Sequence, residues 1–138
     1  MLTVNETKTI REIADYFRCI EIIERAMSYS EKFDNGAIWN VPVSLNYQLK
    51  NTAGNANRWR IHLHPGLLRA NEEEQLATFL HETAHVMDCI QNGASSHGYG
   101  WQEQMIRLAQ NPLLQKFHNI TSCKKRAAKP NPFDDIQI

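Results

Sequence analysis

Leu80-His81-Glu82-Thr83-Ala84-His85-Val86-Met87-Asp88 is the stretch on which the reading of this chain turns. Two imidazoles at i and i+4, with a carboxylate beside the first, share one face of a helix a single turn apart. The pentapeptide H-E-x-x-H arises by chance about once in fifty chains of this length and composition, so its surroundings must decide. Upstream, Asn71 followed by Glu72, Glu73 and Glu74 predicts a helix start: an Asn cap, acids beside the positive end of the dipole, and a Glu at the capping-box position. Asn92-Gly93 predicts its end. Between them Leu76, Leu80, Thr83, Met87 and Ile90 form one apolar stripe. His81 and His85 lie roughly opposite that stripe, with Glu82 beside them and Asp88 continuing the row. An ordinary amphipathic helix would put such a row in water.

Two such histidines can reach one Zn²⁺ at about 2.0–2.1 Å, but a catalytic site needs a third protein ligand and an open position. The extended H-E-x-x-H-x-x-G-x-x-H pattern is excluded, because Asp88 and Gln91 stand where it needs glycine and histidine. After Gly93 comes a short polar loop, and helical periodicity resumes from Tyr99 to Gln110 through Trp101, Met105, Leu108 and Ala109. His97 stands at that helix's threshold, and Gly98 permits close backbone approach. Glu103, inside the same helix, is the rival third ligand. Asp88 is a candidate partner for a ligand imidazole, with a solvated surface position as the alternative. Tyr99 is a candidate donor to a tetrahedral oxyanion, with plain packing as the alternative. Cys89 reads as a small apolar filler.

The rest of the chain reads as an α+β domain. Ile10, Ile13, Ala14, Phe17, Ile20, Ile23 and Met27 recur every three or four residues, which predicts one long amphipathic helix from about Glu6 to Glu31. Val41, Val43, Leu45, Tyr47 and Leu49 alternate with mostly polar residues as a half-buried strand does. Residues 51–57, NTAGNAN, are turn chemistry; Trp59, Ile61 and Leu63 then alternate again, predicting an antiparallel hairpin that stops at Pro65-Gly66. A substrate chain would pair with the edge made by Trp59 to Leu63, and main-chain pairing implies broad specificity.

At 138 residues the chain fits one domain, and its fifteen basic and fifteen acidic residues cancel. Bulk charge therefore steers it toward neither nucleic acid nor membrane. The balance is uneven, however. No acid lies between Glu103 and Asp134, while Arg107, Lys116, Lys124, Lys125, Arg126 and Lys129 do, with Phe117 among them. These six are candidate DNA-binding residues; a solubilising basic tail is the alternative. Cys19, Cys89 and Cys123 are widely spaced and lack any C-x-x-C, which suits neither a disulfide framework nor a zinc ribbon. With no secretory pattern and no long apolar run, the expectation is an intracellular, cytoplasmic protein without a membrane partner. Residues 130–138 are expected to fray as a C-terminal tail after a domain spanning 1–129.

His81-Glu82-x-x-His85, then His97-Gly98-x-x-Trp101, then Arg107 and Asn111-Pro112, resemble the SprT-like zinc metallopeptidase family with its Spartan-type catalytic domains. Arg60-Ile61-His62-Leu63-His64-Pro65, with Leu67-Leu68, is similar to the strand and turn before the zinc helix in that family. The resemblance implies a zincin-like single domain binding one Zn²⁺ through His81, His85 and His97, with Glu82 as catalytic base. It implies an endopeptidase whose substrates are proteins, DNA-bound or DNA-crosslinked ones included, and a nucleoid or nuclear association. A non-proteolytic, DNA-associated zinc adaptor is the competing function. The chain departs from many relatives in having only Cys123 where they carry a C-terminal zinc ribbon, and in having Asp88 where they usually have an apolar residue.

Overall fold

The computed structural model describes residues 6–33 and 36–108. The α+β expectation holds: four helices pack with a small mixed sheet. The expectations for residues 109–138 lie outside the described residues.

The long N-terminal helix does not form. Lys8–Thr9 is a short strand, β1, and Thr9 caps helix α1, Ile10–Tyr16, through a capping box with Glu12. Glu12 donates its backbone N–H to Thr9 Oγ1 at 3.1 Å, and Thr9 N–H returns to Glu12 Oε1 at 3.2 Å. The helix ends because Arg18 takes a left-handed conformation, φ 58°, and Cys19 N–H closes the turn on Ala14 carbonyl at 2.9 Å. Helix α2, Ile20–Met27, begins only after this break. The apolar periodicity runs straight through this break, which is why the sequence pattern concealed it. Each half buries its own set, Ile10, Ile13 and Ala14 in one and Ile23, Ala26 and Met27 in the other.

The sheet also differs from the expected hairpin. Strand β2 is Pro42–Leu45, β3 is Gly54–Ala56 and β4 is Ile61–Leu63, in the order β1-β2-β4-β3. The two segments expected to pair antiparallel, β2 and β4, run parallel, with Val43 opposite Ile61 and Leu45 opposite Leu63. The antiparallel partner of β4 is β3, which lies within the NTAGNAN stretch read as a turn. Asn57 makes the connection: its Oδ1 accepts from the backbone N–H groups of Trp59 and Arg60 at 2.8 and 3.0 Å. Trp59 therefore sits in the turn, 71% exposed, instead of opening the strand.

A 3₁₀ turn at Pro65–Arg69 leads into α3, Glu72–Asn92, which matches its expected bounds. Asn71 Oδ1 accepts from Glu74 N–H at 2.8 Å, and Gly93 closes the helix in the left-handed region, φ 86°. The helix is not an ordinary amphipathic one with a wet face: every residue from Ala77 to Cys89 is buried. Strands β3 and β4 cover one side and helix α4, Tyr99–Leu108, another. The row of His81, Glu82, His85 and Asp88 is thus inside the protein. None of the described helices is long and apolar enough to cross a membrane.

Candidate metal centre

The i, i+4 spacing on α3 places His81 and His85 side by side, ring centroids 5.0 Å apart. The loop after Gly93 then returns His97 to both of them, at 5.1 and 4.9 Å between centroids. Its return depends on a close crossing of α4 over α3. A Cβ at Gly100 would run into the Asp88 carboxylate and come within 3.0 Å of Asn92 Nδ2. Any larger residue would push the Asp88 side chain from its place, so glycine keeps the approach this close. Ser96 Oγ accepts Gly98 N–H at 3.1 Å, and Gln102 Nε2 donates to the His97 carbonyl at 3.2 Å, so the loop is pinned on both sides of His97.

Beneath the three imidazoles lies Trp101, fully buried, its ring 4.6, 5.5 and 5.1 Å from those of His81, His85 and His97. Its Nε1–H donates to the His81 carbonyl at 3.1 Å. One side chain of α4 thereby limits the rotation of all three rings.

The donor set fits a tetrahedral metal. His81 Nε2 and His97 Nε2 face each other at 3.1 Å, and tetrahedral Zn–N bonds of 2.0–2.1 Å require about 3.3 Å between nitrogens. One potential ligand atom from each of the three histidines lies within 4.8 Å of the others, and among the described residues no other such group exists. His81 and His85 are buried whereas His97 is exposed, so the group opens to solvent on one side. Glu103 is not in it: its carboxylate pairs with Arg107 Nη2 at 2.9 Å.

That opening is a cleft of about 250 Å³. Residues 52–56 form one wall and Ser95, Ser96 and His97 the other, while Glu82 and the histidines of α3 line the floor. The substrate edge expected at Trp59 to Leu63 is not available, because β4 lies between β2 and β3. Among the described residues the sheet's edges are β1 and β3, and β3 is the one that lines the cleft. His64 N–H bonds Ala53 carbonyl at 2.8 Å and Asn57 N–H bonds Arg60 carbonyl at 3.0 Å, which puts Asn55 and His62 in the bonded phase of the ladder. The backbone groups of Gly54 and Ala56 consequently point away from the sheet. Gly54 also stands against Glu82: a Cβ there would lie 3.3 Å from Glu82 Cδ and 2.7 Å from the His62 carbonyl oxygen. The sequence singled out Glu82 but gave no sign of this contact, Gly54 being one glycine within a turn-like run.

The remaining sequence candidates divide. Asp88 is buried and accepts from Asn92 Nδ2 at 2.6 Å beside the first turn of α4, where the helix dipole favours an anion. Its burial rules out the solvated surface position, and at His85 it is Ser95 whose Oγ lies 2.7 Å from Nδ1. Tyr99 is 83% exposed at the start of α4. Cys89 is buried, and burial followed by the nearby Asp88 charge pushes its thiol pKa up, as suits the filler role. Arg107 turns inward, with its guanidinium 3.4 Å from the centre of the Tyr29 ring as well as on Glu103. Lys116, Lys124, Lys125, Arg126 and Lys129 lie outside the described residues.

The model of the SprT-like family matches residues 22–124, most of the chain. No curated protein and no solved structure gives a significant match.

Proposed function

Because this chain belongs to the SprT-like family, whose general character is that of metallopeptidases, we propose that it is a zinc-dependent endopeptidase with Glu82 as its general base. The observation that carries this reading is Glu82 itself, 3% exposed, on the floor of an open cleft between three converged imidazoles and a free strand edge. A purely structural zinc site has no use for a carboxylate so placed. His81, His85 and His97 would hold one Zn²⁺, which supplies a Lewis acid able to make water acidic near neutral pH. Glu82 takes the proton of the attacking water and delivers it to the leaving amine. The substrate lies extended along β3, its main chain paired with the outward groups of Gly54 and Ala56, so selectivity for side chains is low. Zinc content measured together with cleavage of a denatured protein tests the whole reading. Stoichiometric zinc with no cleavage would leave the non-proteolytic adaptor in its place.

The contact at Gly54 supplies a sharper check. Gly54→Ala places a methyl against a backbone oxygen that cannot yield and against Glu82. The strand or the carboxylate must shift, and sub-ångström to 1 Å displacements cost up to about a hundredfold in rate. We expect at least a tenfold loss of kcat/KM on a peptide substrate, by the same reasoning, with zinc retained because no ligand is touched. An unchanged kcat/KM would place the substrate elsewhere.

We also propose that substrates include DNA-bound proteins, with the basic residues Lys116, Lys124, Lys125, Arg126 and Lys129 following the phosphate backbone. Arg107, of the same candidate set, also contacts Tyr29 and Glu103. Binding should be weak, indifferent to sequence and steeply salt-dependent, and replacing Lys124, Lys125 and Arg126 together should flatten the salt slope. Absence of binding in a low-salt titration would leave a general peptidase. We place its work in the cytoplasm; the free cysteines Cys19 and Cys89, both buried, support a reducing setting.

A further inference from the structure

A neutral imidazole has one nitrogen that donates and one that accepts, so whatever holds one nitrogen decides what the other can do. For His85 the held nitrogen is Nδ1, 2.7 Å from Ser95 Oγ. The Ser95 hydroxyl carries a single proton, and 3.4 Å away it meets the Ser96 carbonyl oxygen, which can only accept. A proton directed there leaves Ser95 a lone pair for the N–H of His85, the one arrangement that keeps His85 Nε2 bare for a metal. We infer that Ser95 fixes His85 as the tautomer protonated at Nδ1, with a bare Nε2 turned to the metal, and is thus a positioning residue for the metal centre.

The local chain explains why Ser95 can do this. Gly93 ends α3 in a left-handed conformation, two residues before Ser95, and reverses the chain over the last turns of the helix. The same loop then carries His97, so one segment delivers both a ligand and the partner of another ligand. Ser95 is half-buried, which shields its hydrogen bond from water. The sequence offers no signal for this pairing, since a serine in a polar loop is ordinary turn composition.

The inference rests on the zinc reading but not on peptidase activity. Its test is a zinc competition titration against a chromogenic chelator, using the full chain and its Ser95→Ala and Ser95→Thr variants. Loss of an outer partner of a ligating histidine weakens metal binding about 10- to 100-fold. Ser95→Ala should show that loss, whereas Ser95→Thr, which keeps the hydroxyl, should stay within about threefold of the parent on the same scale. Imidazole ¹⁵N shifts of the metal-free protein give a second readout: His85 should be held as the Nδ1–H form in the parent and the Thr variant, and become a mixture in Ser95→Ala. Parent-like zinc affinity in Ser95→Ala, or Thr as weak as Ala, overturns the inference. A parent chain that binds no zinc overturns it together with the metal reading. Zinc bound without peptide cleavage overturns only the proposed function, and the Ser95 comparison still decides this one.

Discussion

Glu82→Gln is expected to keep the fold and the zinc while slowing peptide hydrolysis by on the order of 10²–10⁴-fold, the range a positioned general base supplies. The substitution is nearly isosteric and keeps the packing against Gly54, where the Glu82 side chain would meet any added Cβ at 3.3 Å. What it removes is the capacity to take a proton. The measurement is kcat/KM on an unfolded protein substrate, with zinc determined on the same sample. Activity equal to that of the parent would remove Glu82 from the chemistry. Loss of zinc would instead make Glu82 part of the metal's support, and its buried place beside the histidines a structural one.

His97→Ala is expected to weaken zinc binding by more than the roughly 100-fold that outer partners of ligands control, and to abolish hydrolysis with it. His97 is one of three nitrogens, and with two ligands left on a single helix face the chelate is open on too many sides to hold the ion. Glu103→Gln should leave zinc in place, since its carboxylate is engaged by Arg107 at 2.9 Å and lies outside the histidine group. Its cost should be a few tenths of a kcal/mol to about 1 kcal/mol of stability, as for a partly exposed i, i+4 pair. Zinc analysis of the two variants side by side decides between the candidate third ligands. The opposite pattern, zinc lost with Glu103→Gln and kept with His97→Ala, would overturn the ligand set.

Sequence by itself determined the features that depend on neighbours along the chain. The bounds of α3 followed from Asn71 and Gly93 because a cap and a left-handed stop satisfy the helix's own orphan groups. The pairing of His81 with His85 followed from the 3.6-residue period, and the place of His97 before α4 from the short loop that reverses the chain. Tertiary structure decided the rest. Which strand pairs with β4 is a matter of contacts far apart in sequence, so β2 joined it in parallel and the turn-like Gly54–Ala56 took the edge that faces the cleft. Periodicity from Ile10 to Met27 carried no mark of the left-handed Arg18, since both halves keep an apolar face to bury. A period also reports only which residues share a face and not what covers that face. The sheet and α4 closed over His81, Glu82, His85 and Asp88, Gly100 brought the two helices together at Asp88, and Ser95 reached His85, because each contact joins segments whose approach is fixed by packing alone.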